Sequence, residues 1–310
     1  MKRFAFILIL VAAGARLNGA AQQPAWQPAP GHVTLPLWPG TPPGAPVNLP
    51  PEADKTTSKD SLIAGRPVIR LGNVATPTLT VYQPKGGSSG AAIVVFPGGG
   101  YNILAIDLEG TEVCDWLNSI GVACVLVKYR VPGTGPYPKS AAAFQDAQRA
   151  VGMVREHAQE WGIDPRRVGV LGFSAGAHLS AALSTHYETR LYDAVDAADK
   201  LSCRPDFAVI VYPGYLAIAE QNMAPNPEIR PTADTPPSFI VQAEDDPVHV
   251  ENAVAYFMAL KNAKVAAELH IYAQGGHGYG LRRTALPVTG WPQLVETWLR
   301  TINILPAQSE

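Results

Sequence analysis

Short apolar runs alternate with longer amphipathic stretches through most of the chain. Runs of apolar and β-branched residues bounded by turn formers predict buried strands. These runs lie at residues 68–71, 78–82, 91–96, 123–128, 168–172, 207–212, 238–242 and 268–273. The amphipathic stretches predict helices at about 109–120, 141–161, 175 onward, 250–263 and 293–302. Strands that alternate with helices form a mostly parallel sheet covered by helices on both faces, so we predict an α/β fold.

The region before the first of these strands has a different composition. Residues 22–60 are rich in proline and glycine, most densely at 36–46. Because proline lacks an amide donor, neither a helix nor a central strand is expected here, and we predict an extended segment lying over the surface. Residues 61–310 contain no repeat and no long charge run, so we predict one domain. Its only candidate cap is a short insert at 220–237.

The first residues have the pattern of an export signal. Lys2 and Arg3 precede an apolar run at 4–13, and small residues end at Ala21. This order predicts a secretory signal peptide at 1–21, and hence export to the periplasm or the exterior of a bacterial cell. A membrane anchor would need about 20 apolar residues, and polar side chains interrupt this run earlier.

Composition and charge narrow the classes of partner. The chain is 47% hydrophobic and 16% charged, which allows a large buried core. After residue 21 it holds 21 Lys and Arg against 26 Asp and Glu, a net charge of −5. We therefore expect neither a nucleic acid nor a membrane as partner. The three cysteines, Cys114, Cys124 and Cys203, fit no metal-binding spacing, and we predict that they are small buried side chains. The alternative for an exported protein is one disulfide bond among them.

A Gly-x-Ser-x-Gly sequence stands between a predicted strand and a predicted helix. Gly172 and Gly176 flank Ser174 at the positions where a strand that turns sharply into a helix brings two backbones together. Such a turn would expose the Ser174 hydroxyl at the sheet edge and direct the Ala175 amide toward its target. We interpret Ser174 as a nucleophile. The alternative is an ordinary serine-containing loop before a helix.

A glycine-rich loop follows the strand predicted at 91–96. In the sequence Pro-Gly-Gly-Gly-Tyr at 97–101, bare backbone amides can approach a substrate oxygen. We expect Gly99 and Gly100 to complete an oxyanion hole with Ala175. A phosphate-binding loop would need a lysine and a Ser or Thr after the glycines, and neither is present.

Acidic residues and a histidine follow the last two predicted strands. Glu244, Asp245 and Asp246 come after 238–242, and His277 lies among glycines after 268–273. A carboxylate there can orient the histidine as a general base, and the order serine, acid, histidine is the one expected for this fold. A metal site is not expected, because these acids and His249 have no recognised ligand spacing, and the chemistry requires no cofactor.

Five stretches together resemble a known superfamily. They are residues 37–40, 96–101, 172–179, 245–248 and 275–281. The chain from about Leu35 resembles the α/β-hydrolases, and more narrowly the bacterial secreted carbohydrate esterases of the acetylxylan-esterase type. Their core is similar to the catalytic domain of prolyl oligopeptidases. The resemblance implies a central, mostly parallel sheet with helices on both faces and no large cap.

The same resemblance implies roles for individual residues. Ser174 would be the nucleophile, His277 the general base and Asp245 the residue that orients it. Asp245 is preferred to Asp246 because the family aspartate precedes a valine by three positions, as Asp245 precedes Val248.

Two departures from the family limit what can be transferred. Many relatives begin the glycine loop with histidine, where this chain has Pro97, so the hole donor remains open among Gly99, Gly100 and Tyr101. No propeller or large lid sequence precedes the predicted core, which argues against an oligopeptidase.

These observations predict an exported serine esterase that deacetylates acetylxylan or xylo-oligosaccharides through an acyl-enzyme. Its partner would be its substrate, an acylated carbohydrate or a small ester. Tyr101, Tyr212 and Tyr279 would border this substrate if the loops converge as the family's do. The alternatives are a general short-chain carboxylesterase, a peptidase-like serine hydrolase, or a hydrolase fold that binds without catalysis. The sequence leaves the oligomeric state and the native sugar open.

Overall fold

A computed structural model describes residues 26–46, 48–133 and 139–307. The predicted signal peptide at 1–21 lies outside these residues. The central sheet has eight strands, which we label in chain order. They are β1 (Val33–Pro36), β2 (Thr78–Tyr82), β3 (Ala92–Phe96), β4 (Ala123–Lys128), β5 (Val168–Phe173), β6 (Ala208–Val211), β7 (Ser238–Ala243) and β8 (Ala267–Tyr272). Their spatial order is β1-β2-β4-β3-β5-β6-β7-β8.

The sheet is parallel from β4 to β8 and antiparallel at β1 and β2. Every residue of β3, β4, β5 and β7 is buried, as expected for strands covered on both faces. The α-helices are α1 (Glu112–Ser119), α2 (Ala141–Glu156), α3 (Ala175–Thr185), α4 (Glu251–Asn262) and α5 (Trp291–Thr301). The α/β fold class predicted from the sequence is confirmed.

Two predicted helices differ from the structure by three residues or more at one end. The stretch predicted as a helix at 109–120 begins with a π-turn at Asp107–Thr111, and only then continues as α1. Helix α2 ends at Glu156, and its last residues before 161 form turns instead. Both differences lie at helix ends, where side-chain periodicity is least informative.

Short strands outside the main sheet shape its surroundings. Ala53–Asp54, Arg70–Gly72 and Ile103–Ala105 form a three-stranded antiparallel sheet. Within and next to the predicted insert, Ala217–Ile218 pairs with Ala224–Pro225 as a two-stranded sheet. The insert therefore forms a small hairpin rather than a helical cap.

The proline-rich N-terminal segment is part of the core sheet rather than only a surface covering. Strand β1 pairs antiparallel with β2, and its Pro36 lies on the sheet edge, where the missing amide costs least. The next two residues, Leu37 and Trp38, are buried. The indole Nε1 of Trp38 donates to Asp146 Oδ1 in α2 at 2.8 Å, and the buried Arg149 side chain donates to the carbonyl of Leu37.

Two of the three cysteines are joined. Cys114 in α1 and Cys124 in β4 form a disulfide, whereas Cys203 is free and buried. The expectation that all three are unpaired is therefore wrong for two of them, and the single bridge left open by the sequence is present. The pairing follows from the packing of α1 against β4, which residue spacing does not reveal. In the described part of the chain, no helix has the length and apolar character needed to cross a bilayer.

Candidate active site

Ser174 occupies the sharp turn between β5 and α3. Its backbone has φ 51° and ψ −114°, a conformation that non-glycine residues rarely adopt. A Cβ on Gly172 would lie 2.0 Å from the carbonyl oxygen of Gly176, and one on Gly176 would lie 2.0 Å from that of Phe96. No side chain fits at either glycine. The steric reason given for the Gly-x-Ser-x-Gly pattern is thus present in the structure.

His277 reaches Ser174 from the loop after β8. Its Nε2 lies 2.9 Å from Ser174 Oγ, and its Nδ1 lies 2.8 Å from Asp246 Oδ2. Both distances are those of hydrogen bonds, so the three side chains form a continuous line. In this arrangement the imidazole can accept the serine proton at Nε2 while Nδ1–H donates to the carboxylate.

Asp246 is held by donors besides the imidazole. Its side chain is fully buried, Oδ2 also accepts from Gln242 Nε2 at 3.0 Å, and Oδ1 accepts from the amide of Val248 at 2.7 Å. Donors on both oxygens fix the orientation of the carboxylate plane. Asp246 therefore has both the geometry and the environment needed to orient His277.

The expectation that Asp245 orients His277 is wrong, because the carboxylate that contacts the imidazole is that of Asp246. Asp245 is exposed, and its Oδ1 accepts from the amides of Gly275 at 2.9 Å and Gly276 at 2.7 Å. It holds the backbone of the histidine loop instead of the imidazole. The preference for Asp245 rested on spacing to Val248, and spacing does not determine which of two adjacent side chains in a turn points inward.

The predicted oxyanion-hole amides have no internal acceptor in the described structure. The N–H of Ala175 is the first in α3, where no intrahelical acceptor exists, and no acceptor is found for the N–H groups of Gly99 and Gly100. Their neighbour Gly98 is different, because its N–H donates to Glu109 Oε2 at 2.6 Å. The assignment of Gly99, Gly100 and Ala175 to the hole stays a prediction.

The three tyrosines expected to border the substrate are buried. Tyr101, Tyr212 and Tyr279 are 2%, 0% and 5% exposed, so none presents an open ring face. Tyr101 contacts His178 Nδ1 through its hydroxyl at 2.8 Å, and burial lowers the pKa of that histidine to about 3. Buried rings do not offer the open faces on which a sugar was expected to lie, and the assignment of these residues to the border of the substrate stays a prediction. His178 itself is buried in α3.

A cavity of about 490 Å³ opens beside the same loops. Tyr215, Val248 and the hairpin of the insert supply its apolar walls, and Lys139, Glu220 and Glu228 are among its charged residues. The Lys139 ammonium lies 4.0 Å from the centre of the Tyr215 ring, at cation–π distance. The aromatic ring at this site is thus Tyr215, which the sequence did not single out. No cluster of metal-ligand side chains occurs within residues 26–46, 48–133 and 139–307.

Glu109 is a second carboxylate near the reacting groups, and sequence reasoning missed it. It is buried in the π-turn that precedes α1, where it contacts Gly98 and Tyr212. Burial raises its pKa, while the Tyr212 and Gly98 hydrogen bonds and the proximity of His277 act in the opposite direction. An acidic residue at the start of a helix usually interacts with the helix dipole, so its sequence position gave no signal of another role.

Comparisons with known proteins agree with this architecture. A family model described as an alpha/beta hydrolase fold matches residues 93–233. An acetylxylan esterase from Xylanibacter ruminicola is 35% identical over 206 residues, which cover 62% of this chain and 42% of that protein. The chain therefore spans less than half the length of this relative. An ethyl acetate hydrolase from Pseudomonas putida is 27% identical over 62% of this chain and 66% of its own length.

A solved structure extends the similarity to nearly the whole chain. It is the acetyl ester-xyloside bifunctional hydrolase from Caldicellulosiruptor lactoaceticus, with 33% identity and a TM-score of 0.69. The match covers 88% of this chain and 97% of that one. With the strand order and the serine turn between β5 and α3, these similarities establish that the chain belongs to the α/β-hydrolase superfamily.

Proposed function

We propose that this protein is an exported serine esterase that removes acetyl groups from carbohydrates, most simply from acetylated xylan fragments. The observation that carries the proposal is the line of hydrogen bonds from Ser174 through His277 to Asp246. A serine, a histidine and a buried carboxylate in this order are the parts needed for acyl transfer to serine.

The proposed reaction has two halves. Ser174 Oγ attacks the acetyl carbonyl and its proton passes to His277 Nε2, while Asp246 stabilises the imidazolium that forms. The negative charge on the carbonyl oxygen is stabilised by the amide of Ala175 and an amide of the glycine loop. Collapse of the tetrahedral intermediate breaks the ester bond, and the sugar hydroxyl leaves with the proton from His277. Water, deprotonated by His277, then attacks the acetyl-enzyme and releases acetate and free Ser174.

The cavity beside the site supports a sugar as the alcohol part of the ester. Its polar side chains can bond to hydroxyl groups, and Tyr215 offers an aromatic wall. The similarity to an acetylxylan esterase and to an acetyl ester-xyloside hydrolase favours the same substrate class. Export rests on the signal pattern at 1–21, and cell fractionation with an antibody against the protein would test it.

We expect the enzyme to discriminate sharply among esters according to the length of their acyl chain. In the described structure the insert between β6 and β7 forms a hairpin and short turns, and no α-helix covers the site. A long acyl chain needs an apolar groove to bury its methylenes, each worth about 0.8 kcal/mol. We therefore expect kcat/KM of aryl esters to fall steeply from acetyl to butyryl to octanoyl. A profile that peaks at octanoyl would favour a lipase-like enzyme.

The rival candidate is a general short-chain carboxylesterase, which the similarity to an ethyl acetate hydrolase favours. Acetate release from acetylated xylo-oligosaccharides, compared with hydrolysis of ethyl and aryl acetates, separates the two. We expect the acetylated sugar to have the higher kcat/KM. Turnover of simple acetates with none of the acetylated sugar would support the general esterase, and no turnover of any ester would contradict both.

A further inference from the structure

We propose that Glu109 is a positioning residue that ties the glycine loop to the histidine loop and stabilises the positive charge formed on His277 during turnover. This inference rests on the serine esterase function proposed above. It concerns a carboxylate outside the line of Ser174, His277 and Asp246.

Glu109 contacts the glycine loop directly. Its Oε2 accepts from the Gly98 amide at 2.6 Å, a short charge-assisted hydrogen bond. A Cβ on Gly98 would lie 2.7 Å from this oxygen and 2.9 Å from the Ser174 Cβ, so the loop passes directly between the two residues. Holding Gly98 fixes the position from which the next two amides, those of Gly99 and Gly100, extend.

Glu109 also reaches the histidine loop, through Tyr212. The Tyr212 hydroxyl donates to Glu109 Oε1 at 2.8 Å and accepts from the amide of Gly280 at 3.2 Å. Its ring packs edge-on against the His277 imidazole, with 5.0 Å between ring centres. One carboxylate therefore fixes, directly or through Tyr212, both the loop that would hold the oxyanion and the loop that carries the base.

The charge of Glu109 can also act on His277. Glu109 is only 4% exposed, and the titratable groups that face it are Asp107 on its own turn, Tyr129 after β4, Tyr212 after β6, and His277. Among these only His277 can become positive. In so buried a place a negative charge acts strongly on a nearby imidazolium, because little water screens it. Glu109 thus has the location to favour the protonated imidazole that each half-reaction generates.

A buried carboxylate is costly for folding, which argues against a purely structural role. Since burial raises its pKa, Glu109 contributes most to stability below its unfolded pKa, and this contribution is lost as the pH rises through the folded value. A neutral amide of the same shape avoids that loss, although its single oxygen can replace only one of the two acceptors. A buried carboxylate that costs stability at neutral pH therefore points to a functional role.

The test compares the full chain with Glu109→Gln on an aryl acetate over a range of pH. We expect kcat to fall by about 10- to 100-fold while KM stays within about threefold, because the change acts on the transition state. The acid limb of the kcat/KM profile should move to lower pH, since the variant lacks the negative charge that favours the protonated base. Thermal melting at each pH measures the folded fraction, since an amide cannot accept from both the Gly98 amide and the Tyr212 hydroxyl.

Two further variants separate charge from position. Tyr212→Phe keeps the carboxylate and the ring but removes the hydroxyl, so we expect a smaller loss of kcat and an unmoved acid limb. Glu109→Asp keeps the charge, and its acid limb should stay close to that of the wild type even where its kcat is reduced. If Glu109→Gln does not fold, this pair still tests the proposal, because it requires both variants to keep the wild-type acid limb.

Different outcomes distinguish this inference from the proposed function. A wild-type protein that hydrolyses no ester overturns the proposed function and the inference with it. An active wild type whose Glu109→Gln variant keeps at least half of kcat and the same acid limb overturns the role of Glu109 alone. A Glu109→Gln variant that loses activity only in proportion to its folded fraction also overturns it.

Discussion

Replacing Ser174 by alanine should reduce kcat/KM for an aryl acetate by about 10⁴-fold or more. The hydroxyl is the only functional group of the serine side chain, and alanine keeps the Cβ. The substitution therefore deletes the proposed nucleophile and leaves the backbone turn intact. His277 and Asp246 keep their mutual hydrogen bond, and the circular dichroism spectrum should be that of the wild type. Residual activity would come from binding and the oxyanion amides alone.

Ser184→Ala is a matched control for this change. Ser184 is a buried serine in α3, the helix that follows Ser174, and its Oγ donates to the carbonyl of Ser180 rather than to an imidazole. Its replacement removes a hydroxyl from the same helix without touching the site, so activity should stay near the wild-type level. Retention of a tenth of the wild-type rate in purified Ser174→Ala protein would rule out Ser174 as the nucleophile.

Asp246→Asn should have the next largest effect, a loss of kcat of about 10³- to 10⁴-fold. The asparagine side chain is nearly the same size, but it cannot accept from His277 Nδ1, Gln242 Nε2 and the Val248 amide at once. The imidazole would then favour the tautomer that has its proton on Nε2, where it cannot take the serine proton. The measurement is steady-state hydrolysis of an aryl acetate across pH, with thermal melting to check folding.

Asp245→Asn is the matched comparison at the adjacent position. Asp245 accepts only backbone amides of the histidine loop and is exposed, and an asparagine oxygen can accept the same bonds. We expect a loss of about tenfold or less, since the loop is loosened but the imidazole keeps its carboxylate. Equal losses in the two variants would mean that the carboxylate at Asp246 does not act on the base.

The inner strands of the sheet could be predicted because they are buried on both faces. A continuous apolar run bounded by glycines and prolines, such as the one at β3, strongly favours a buried strand. The predicted strand at β4 agrees with the structure at both ends. Ser174 was found for a related reason. The sharp turn at the serine requires residues without a side chain on both sides, and the two glycines that meet this requirement are visible in the sequence itself.

Features that depend on side-chain direction or long-range packing were not predictable in this way. Asp245 and Asp246 are adjacent and chemically identical, and only the turn after β7 decides which one reaches His277. The tyrosines follow strands at the correct edge, yet each turns inward. Glu109 is separated from Tyr212 by 103 residues and has no motif around it, so its contacts exist only in the folded chain.

The edge strand β1 changes where this protein can be divided. A boundary drawn by composition falls near residue 60, but the hydrogen-bonded sheet begins at Val33, and Trp38 supplies a donor to the buried Asp146. A chain cut at the compositional boundary would leave the outer edge of β2 open, with unpaired backbone groups next to the buried Val81 and Tyr82. Open, apolar sheet edges pair with other chains. This proline-rich segment covers the edge of β2 and so keeps the sheet from pairing with a neighbouring molecule. A fusion or a truncation should therefore keep every residue from Val33 onward.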